Sequence, residues 1–229
     1  MRFELRSVSV HFDNMPALNN ISCSLTNPSA TIITGPSGAG KTTLLRLLYA
    51  DILPTKGSVF INGQNSAVIS VKQKRSLLRN MGVIFQDSTL IEICTAVENI
   101  QYPLIINKVA AGERNKQSLS VLSSLGISHL RDKFPKQLSG GEKHLVALAR
   151  AIVHKPQIVI ADEPTGNLDE KTSIAVASTL KSLSDEGTTI ILSTHSTELL
   201  SYFTYAEKLY LSDGKIVHHS VGSGRSLLL

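Results

Sequence analysis

Three short segments of the chain combine residue types that hold phosphate and activate water. The first is Gly35-Pro36-Ser37-Gly38-Ala39-Gly40-Lys41-Thr42, followed by Thr43. It satisfies G-x-x-x-x-G-K-[ST], with a β-branched run before it and a leucine-rich stretch after it. Glycines let a backbone curl until successive N–H groups face phosphate oxygens, and the N-terminus of the following helix adds a favourable dipole. Lys41 is then placed to reach the β- and γ-phosphates and Thr42 to offer its hydroxyl to Mg²⁺. The second segment, Ile158-Val-Ile-Ala-Asp162-Glu163, is an apolar run ending in two carboxylates. A buried strand avoids ionised groups, so the pair implies a cation or a reacting water, with Asp162 on the metal side and Glu163 as general base. Alone, such a pair is equally read as two solvated acids; beside a phosphate loop it is not. The third segment, Leu138-Ser139-Gly140-Gly141-Glu142, opens a helix with small residues and exposes several N–H groups, a second anion site. Taken alone it is ordinary loop and cap chemistry, and its position about twenty residues before the carboxylate run gives it meaning.

The elements that must position these segments follow from periodicity. Phe3 to Phe12 and Leu18 to Leu25 alternate as strands, Ala30 to Thr34 is a short strand, and a helix starts near Thr42. Ser58 to Ile61 enters an Asn62-Gly63 turn, residues 70–80 form a basic helix, and Met81 to Phe85 is a buried strand ending at Gln86. From about Ser88 to Pro135 the pattern turns helical, closed at Gly126, and is read as a helical insert. The core resumes with Ile158 to Ala161 and Thr189 to Ser193 around a helix from about Asp169 to Glu186. Alternating strands and helices predict an α/β fold with a parallel sheet and ligands at strand ends. The tail at 221–229 carries Gly-Ser-Gly and is expected to fray.

Composition narrows the function. A chain of 229 residues that is 42% hydrophobic supports a packed core. Cys23 and Cys94 are too few and too far apart for a disulfide framework or a zinc site and are read as reduced thiols. The N-terminus lacks a signal-peptide core, and no apolar run approaches the ~20 residues that span a bilayer, so the chain is expected to be soluble and to stay inside the cell. Net charge is +5, but the basic residues are scattered rather than blocked, which argues against a nucleic-acid site.

With all three segments in this order, residues 1–217 resemble an ABC-type ATPase. The resemblance implies a P-loop core at 1–87 and 141–217, a small antiparallel β region and a helical subdomain at 88–140, all within one domain spanning 1–229. It implies that Phe12 stacks on adenine, that Gln86 senses Mg²⁺ and the attacking water, and that His195 holds the γ-phosphate. Ser139, Gly140 and Gly141 would contact the γ-phosphate bound by the other subunit of a head-to-tail homodimer, and the loop Thr165–Asp169 would cross that interface. The implied reaction is ATP hydrolysis. The implied partner is an integral membrane permease-like subunit of the FtsX, LolC or MacB type, which would hold the chain peripherally at the inner face of the plasma membrane. Its short helix would dock beside Gln86, on Leu90, Ile91 and Ile93. Within the family the chain is similar to the FtsE, LolD and MacB group, and Phe134-Pro135, Ala39, Pro103 to Ile106 and Leu211 to Gly214 favour an FtsE-like role over lipoprotein release or export. Nucleic-acid-associated relatives carry long coiled coils, whereas this insert of about fifty residues has no sustained heptads. Two departures stand out: Lys143-His144-Leu145 where relatives carry Gln-Gln-Arg, and Ser196 where they carry aspartate. The first puts the packing of the signature region and its hydrolysis rate in question.

Overall fold

The computed structural model describes residues 1–13, 15–25, 30–166 and 168–220; the tail at 221–229 and Asn167 of the 165–169 loop lie outside them. Near the N-terminus, β1 (Phe3–Phe12) and β2 (Met15–Leu25) pair antiparallel, with Phe3 opposite Leu25. Alternation along them is imperfect, because the ladder slips at three places and Ser7 and Asn20 adopt left-handed φ of 49° and 52°. Each slip turns the following side chains over, so the buried residues of β2 are Leu18, Ile21 and Leu25 rather than every second one. After β3 (Ala30–Thr34) and α1 (Lys41–Leu48), β4 (Lys56–Ile61) joins the far side of β1, and β5 (Gln64–Asn65) completes a four-stranded sheet in the order β2-β1-β4-β5. The basic helix α2 (Val71–Leu78) is closed by a Ser70/Gln73 capping box and buries none of its residues.

Next come β6 (Met81–Ile84), α3 (Ala96–Ile106), α4 (Ala111–Ser124), α5 (Gly140–Ile152), β7 (Ile158–Asp162), α6 (Glu170–Asp185) and β8 (Thr189–Ser193). Beyond Ser193 the sequence patterns resolve no strand. There the chain forms α7 (Thr197–Tyr202), β9 (Glu207–Ser212) and β10 (Lys215–Ser220), the last two joined across Asp213 and Gly214. Their φ of 48° and 71° are the left-handed pair that a tight hairpin turn demands. The second sheet runs β10-β9-β3-β8-β7-β6, parallel throughout except for β10.

The parallel strands are apolar on both faces because both are covered. Val159, Ala161, Ile190 and Leu192 face a core shared with α3, α4, α5 and α6. Their neighbours Ile158, Ile160 and Ile191 face α1 and the antiparallel sheet. Leu90, expected on the surface, is 5% exposed and packs with Ala96, Ile100 and Leu145 in the first of these cores. Ile93, by contrast, is 86% exposed. Leu145, part of the first departure, is 9% exposed in that same core, so its apolar side chain is housed there.

Candidate active site

The carboxyl ends of β3, β6, β7 and β8 open on one side of the parallel sheet, where α/β folds bind ligands. A cleft of about 480 Å³ there is lined by Ala17, Gly35, Pro36, Ser37, Gly38, Gly40, Lys41, Thr42, Thr43, Gln86, Asp162, Glu163 and His195. Residues from five separate stretches of sequence are therefore brought to one place.

The loop after β3 has a shape that only glycine permits at its ends. Gly35 has φ 142° and a Cβ there would lie 2.1 Å from the Leu211 carbonyl oxygen; at Gly40, φ 98°, it would lie 2.5 Å from that of Ala17. Gly40 caps α1 without a side-chain bond, and no acidic residue sits in the first turn, so the free N–H groups and the positive dipole end are left for an anion. Lys41 Nζ donates to the carbonyls of Gly35 at 2.8 Å and Pro36 at 3.0 Å and lies 3.9 Å from Glu163 Oε1. Ala39 is 2% exposed; its backbone knits the loop together, donating to Pro36 and accepting from Gly214.

The two acids are held differently. Asp162 ends β7 opposite Ser193 of β8, and Ser193 Oγ donates to its Oδ1 at 2.5 Å. The same hydroxyl accepts from the Glu163 N–H at 3.0 Å. Glu163 has φ 46°, a left-handed backbone that costs a residue with a Cβ about 1 kcal/mol or more. Its Oε1 accepts from His195 Nδ1 at 2.9 Å. The carboxylate thus sits between a lysine and a histidine, 11% exposed itself while His195 is 75% exposed. Ser193 escapes sequence reasoning: its role depends on the register of β7 against β8, and its only signal is a hydroxyl at a strand end.

Other expected residues lie elsewhere. Phe12, at the end of β1, is 45% exposed and does not line the cleft. Ser139, Gly140 and Gly141 start α5 away from it. Ser139 Oγ accepts from the Glu142 N–H and Glu142 accepts from the Ser139 N–H at 2.7 Å, which holds the Glu142 carboxyl below its usual range. Asp169 caps α6 through Thr172 and stands beside Gly141. Ser196, the second departure, caps α7 by accepting from Leu199 N–H, a task serine performs as well as aspartate.

Beside the cleft is a groove of about 810 Å³. Its apolar lining includes Met81, Val83, Ile91, Tyr102 and Ile106, and its charged lining is Arg75, Arg79 and Arg150, with no acid. Phe85 lines this groove while its neighbour Gln86 lines the cleft.

Comparison with known proteins agrees with the geometry. The ABC transporter family matches residues 18–166. The uncharacterized ABC transporter ATP-binding protein MJ1508 of Methanocaldococcus jannaschii is 41% identical, over 88% of this chain and 89% of its own length. The cell division ATP-binding protein FtsE of Bacillus subtilis is 38% identical, over 93% and 94%. A dimeric, post-hydrolysis structure of the ATP-binding cassette MJ0796 bound to ADP and Pi matches with a TM-score of 0.89 at 30% identity, covering 97% of this chain and 100% of that one. The chain belongs to the ABC transporter family, as one of its ATP-binding and ATP-hydrolysing subunits.

Proposed function

We propose that two copies of this chain close head to tail over Mg-ATP and drive an FtsE-like complex, whose other component is an integral membrane protein of the FtsX kind. Among the described residues no helix is long and apolar enough to cross a membrane, so attachment to the inner face would come from that partner. The FtsE relatives support the cell-division role, and the dimeric cassette MJ0796 supports the pairing. Ser139 and Gly140 are exposed at a helix start outside their own cleft, as a surface that serves another chain's phosphate would be.

In this reading the N–H groups of the 35–43 loop and Lys41 hold the β- and γ-phosphates, and Phe12 stacks on the adenine from outside the cleft. Thr42, Gln86 and Asp162 line one cleft and offer a hydroxyl, an amide oxygen and a carboxylate, an all-oxygen set that suits a hard divalent cation. Mg²⁺ held there would neutralise charge on the phosphate oxygens. Glu163 takes the proton of the attacking water, and His195, bonded to it, faces the γ-phosphate and stabilises charge on the phosphoryl group being transferred. The partner's Ser139 to Gly141 complete the site. The helical stretch 88–140 would swing as a unit as this happens.

One observation carries the link to a partner: two consecutive residues, Phe85 and Gln86, face the groove and the cleft respectively. A segment seated in the groove would touch Phe85, next to the amide that senses the metal in this reading. The arginines on an apolar floor fit a short helix with an apolar face and acidic flanks. Tyr102→Asp with Ile106→Asp, both at exposed positions, should abolish co-purification of the membrane partner from detergent extracts and leave ATP affinity within about threefold. Full retention of the partner would remove this groove from consideration.

A further inference from the structure

His144, one of the residues that departs from relatives, occupies a junction. It lies in the second turn of α5 and is 2% exposed. Its Nδ1 is 2.5 Å from Ser88 Oγ, two residues beyond Gln86, and Ser88 itself takes a left-handed φ of 47°. On the other side is Pro164, which follows Glu163. Burial holds the ring's pKa below its ordinary value, opposed by the Pro164 carbonyl, which is close enough to act on the ring. Yet Nε2 closes no hydrogen bond with any described atom, a costly condition for a nitrogen cut off from water. One ring nitrogen is bonded, and the other is buried without a partner among the described residues.

We propose that His144 is a positioning residue joining three pieces: helix α5, the loop that carries Gln86 and the loop that carries Glu163. With the proton on Nε2, Nδ1 accepts the Ser88 hydroxyl and the Nε2–H is directed to the Pro164 carbonyl. The start of α5 serves the opposite subunit's phosphate in the dimeric reading on which this proposal rests. Movement of α5 on closure would then complete the second bond and fix the backbone that orients Glu163. Occupation of one composite site would be reported, through a single imidazole, to the base of the other.

Steady-state ATP hydrolysis by the full chain tests this. His144→Leu, similar in size but without polar atoms, should lower kcat about tenfold and leave KM for ATP within about twofold. His144→Gln, whose amide supplies one acceptor and one donor, should recover kcat to within about twofold of wild type. Ser88→Ala should lower kcat about threefold alone and add nothing in the His144→Leu background, since both remove the same bond. A side chain that merely fills the core would not be rescued by glutamine, nor coupled to Ser88 in kcat. Unchanged kcat in His144→Leu, failure of the glutamine to rescue, or independent multiplication of the two substitutions would each overturn the proposal. If His144→Leu does not fold, Ser88→Ala decides, and an unchanged kcat there overturns it. Gel filtration of wild type with Mg-ATP separates the underlying reading: a chain that hydrolyses ATP but never pairs sinks the dimer, while coupling of Ser88 to His144 is still read in kcat.

Discussion

Glu163 holds a left-handed backbone at the end of β7 and shares its carboxylate between His195 and Lys41. Glutamine there keeps the shape and can still hydrogen-bond water, but it cannot take a proton. Glu163→Gln should therefore lower kcat by at least about 100-fold while Mg-ATP affinity stays within about twofold, with the protein eluting as an ATP-trapped dimer. Hydrolysis at the wild-type rate would assign the base elsewhere. Asp162 and Glu163 were legible because two acids ending an apolar run are chemically anomalous. Ser193 was not, because its bond to Asp162 exists only once β7 and β8 pair in register. Leu90 was misplaced for a related reason: the sequence shows that a residue is apolar, not which side of its loop meets the core. The serine at 196 stood out as a departure and is a helix cap.

At the scale of elements, α5 and the turn after it carry the buried His144 and the half-buried His154, and burial depresses the pKa of both. The folded protein keeps them neutral while the unfolded chain protonates them near 6.5. The unfolded state thus binds more protons, so stability is full above that value and is lost as pH falls through it. Tm should fall between pH 7.5 and 5.5, at most about 1.4 kcal/mol of stability per pH unit for each proton taken up. His144→Gln with His154→Gln should flatten that slope in differential scanning fluorimetry, and an unaltered slope would place the titrating groups elsewhere. The existence of most elements followed from periodicity, and the Asp162-bearing strand and the helix opened by Ser139 fall where patterns place them. Bulges in β1 and β2 do not show in a sequence, since a slipped ladder is a property of the pair rather than of either strand. The β9–β10 hairpin was not read from the sequence, because the strand pattern before Asp213-Gly214 is too short to stand alone.

For the whole molecule, a site divided between two chains makes a sharp prediction. Lys41→Ala removes the phosphate-holding charge, and Ser139→Arg blocks the surface that would face the other chain's phosphate. Each alone should be inactive. Mixed dimers regain one intact composite site, so an equimolar mixture should recover up to about a quarter of wild-type hydrolysis. No recovery despite heterodimer formation would favour a site complete within one chain.

Adjacent placement of Phe85 and Gln86 on two different cavities also has a thermodynamic consequence. Four states, with either ligand, both or neither, form a closed cycle, and the sum around it must vanish. Whatever factor the nucleotide applies to the grip on the membrane segment, that segment must return to the nucleotide, in the same direction and of the same size. A peptide that fills the groove is therefore an effector as much as a tether, and titrating it against a non-hydrolysable nucleotide measures one number from either side.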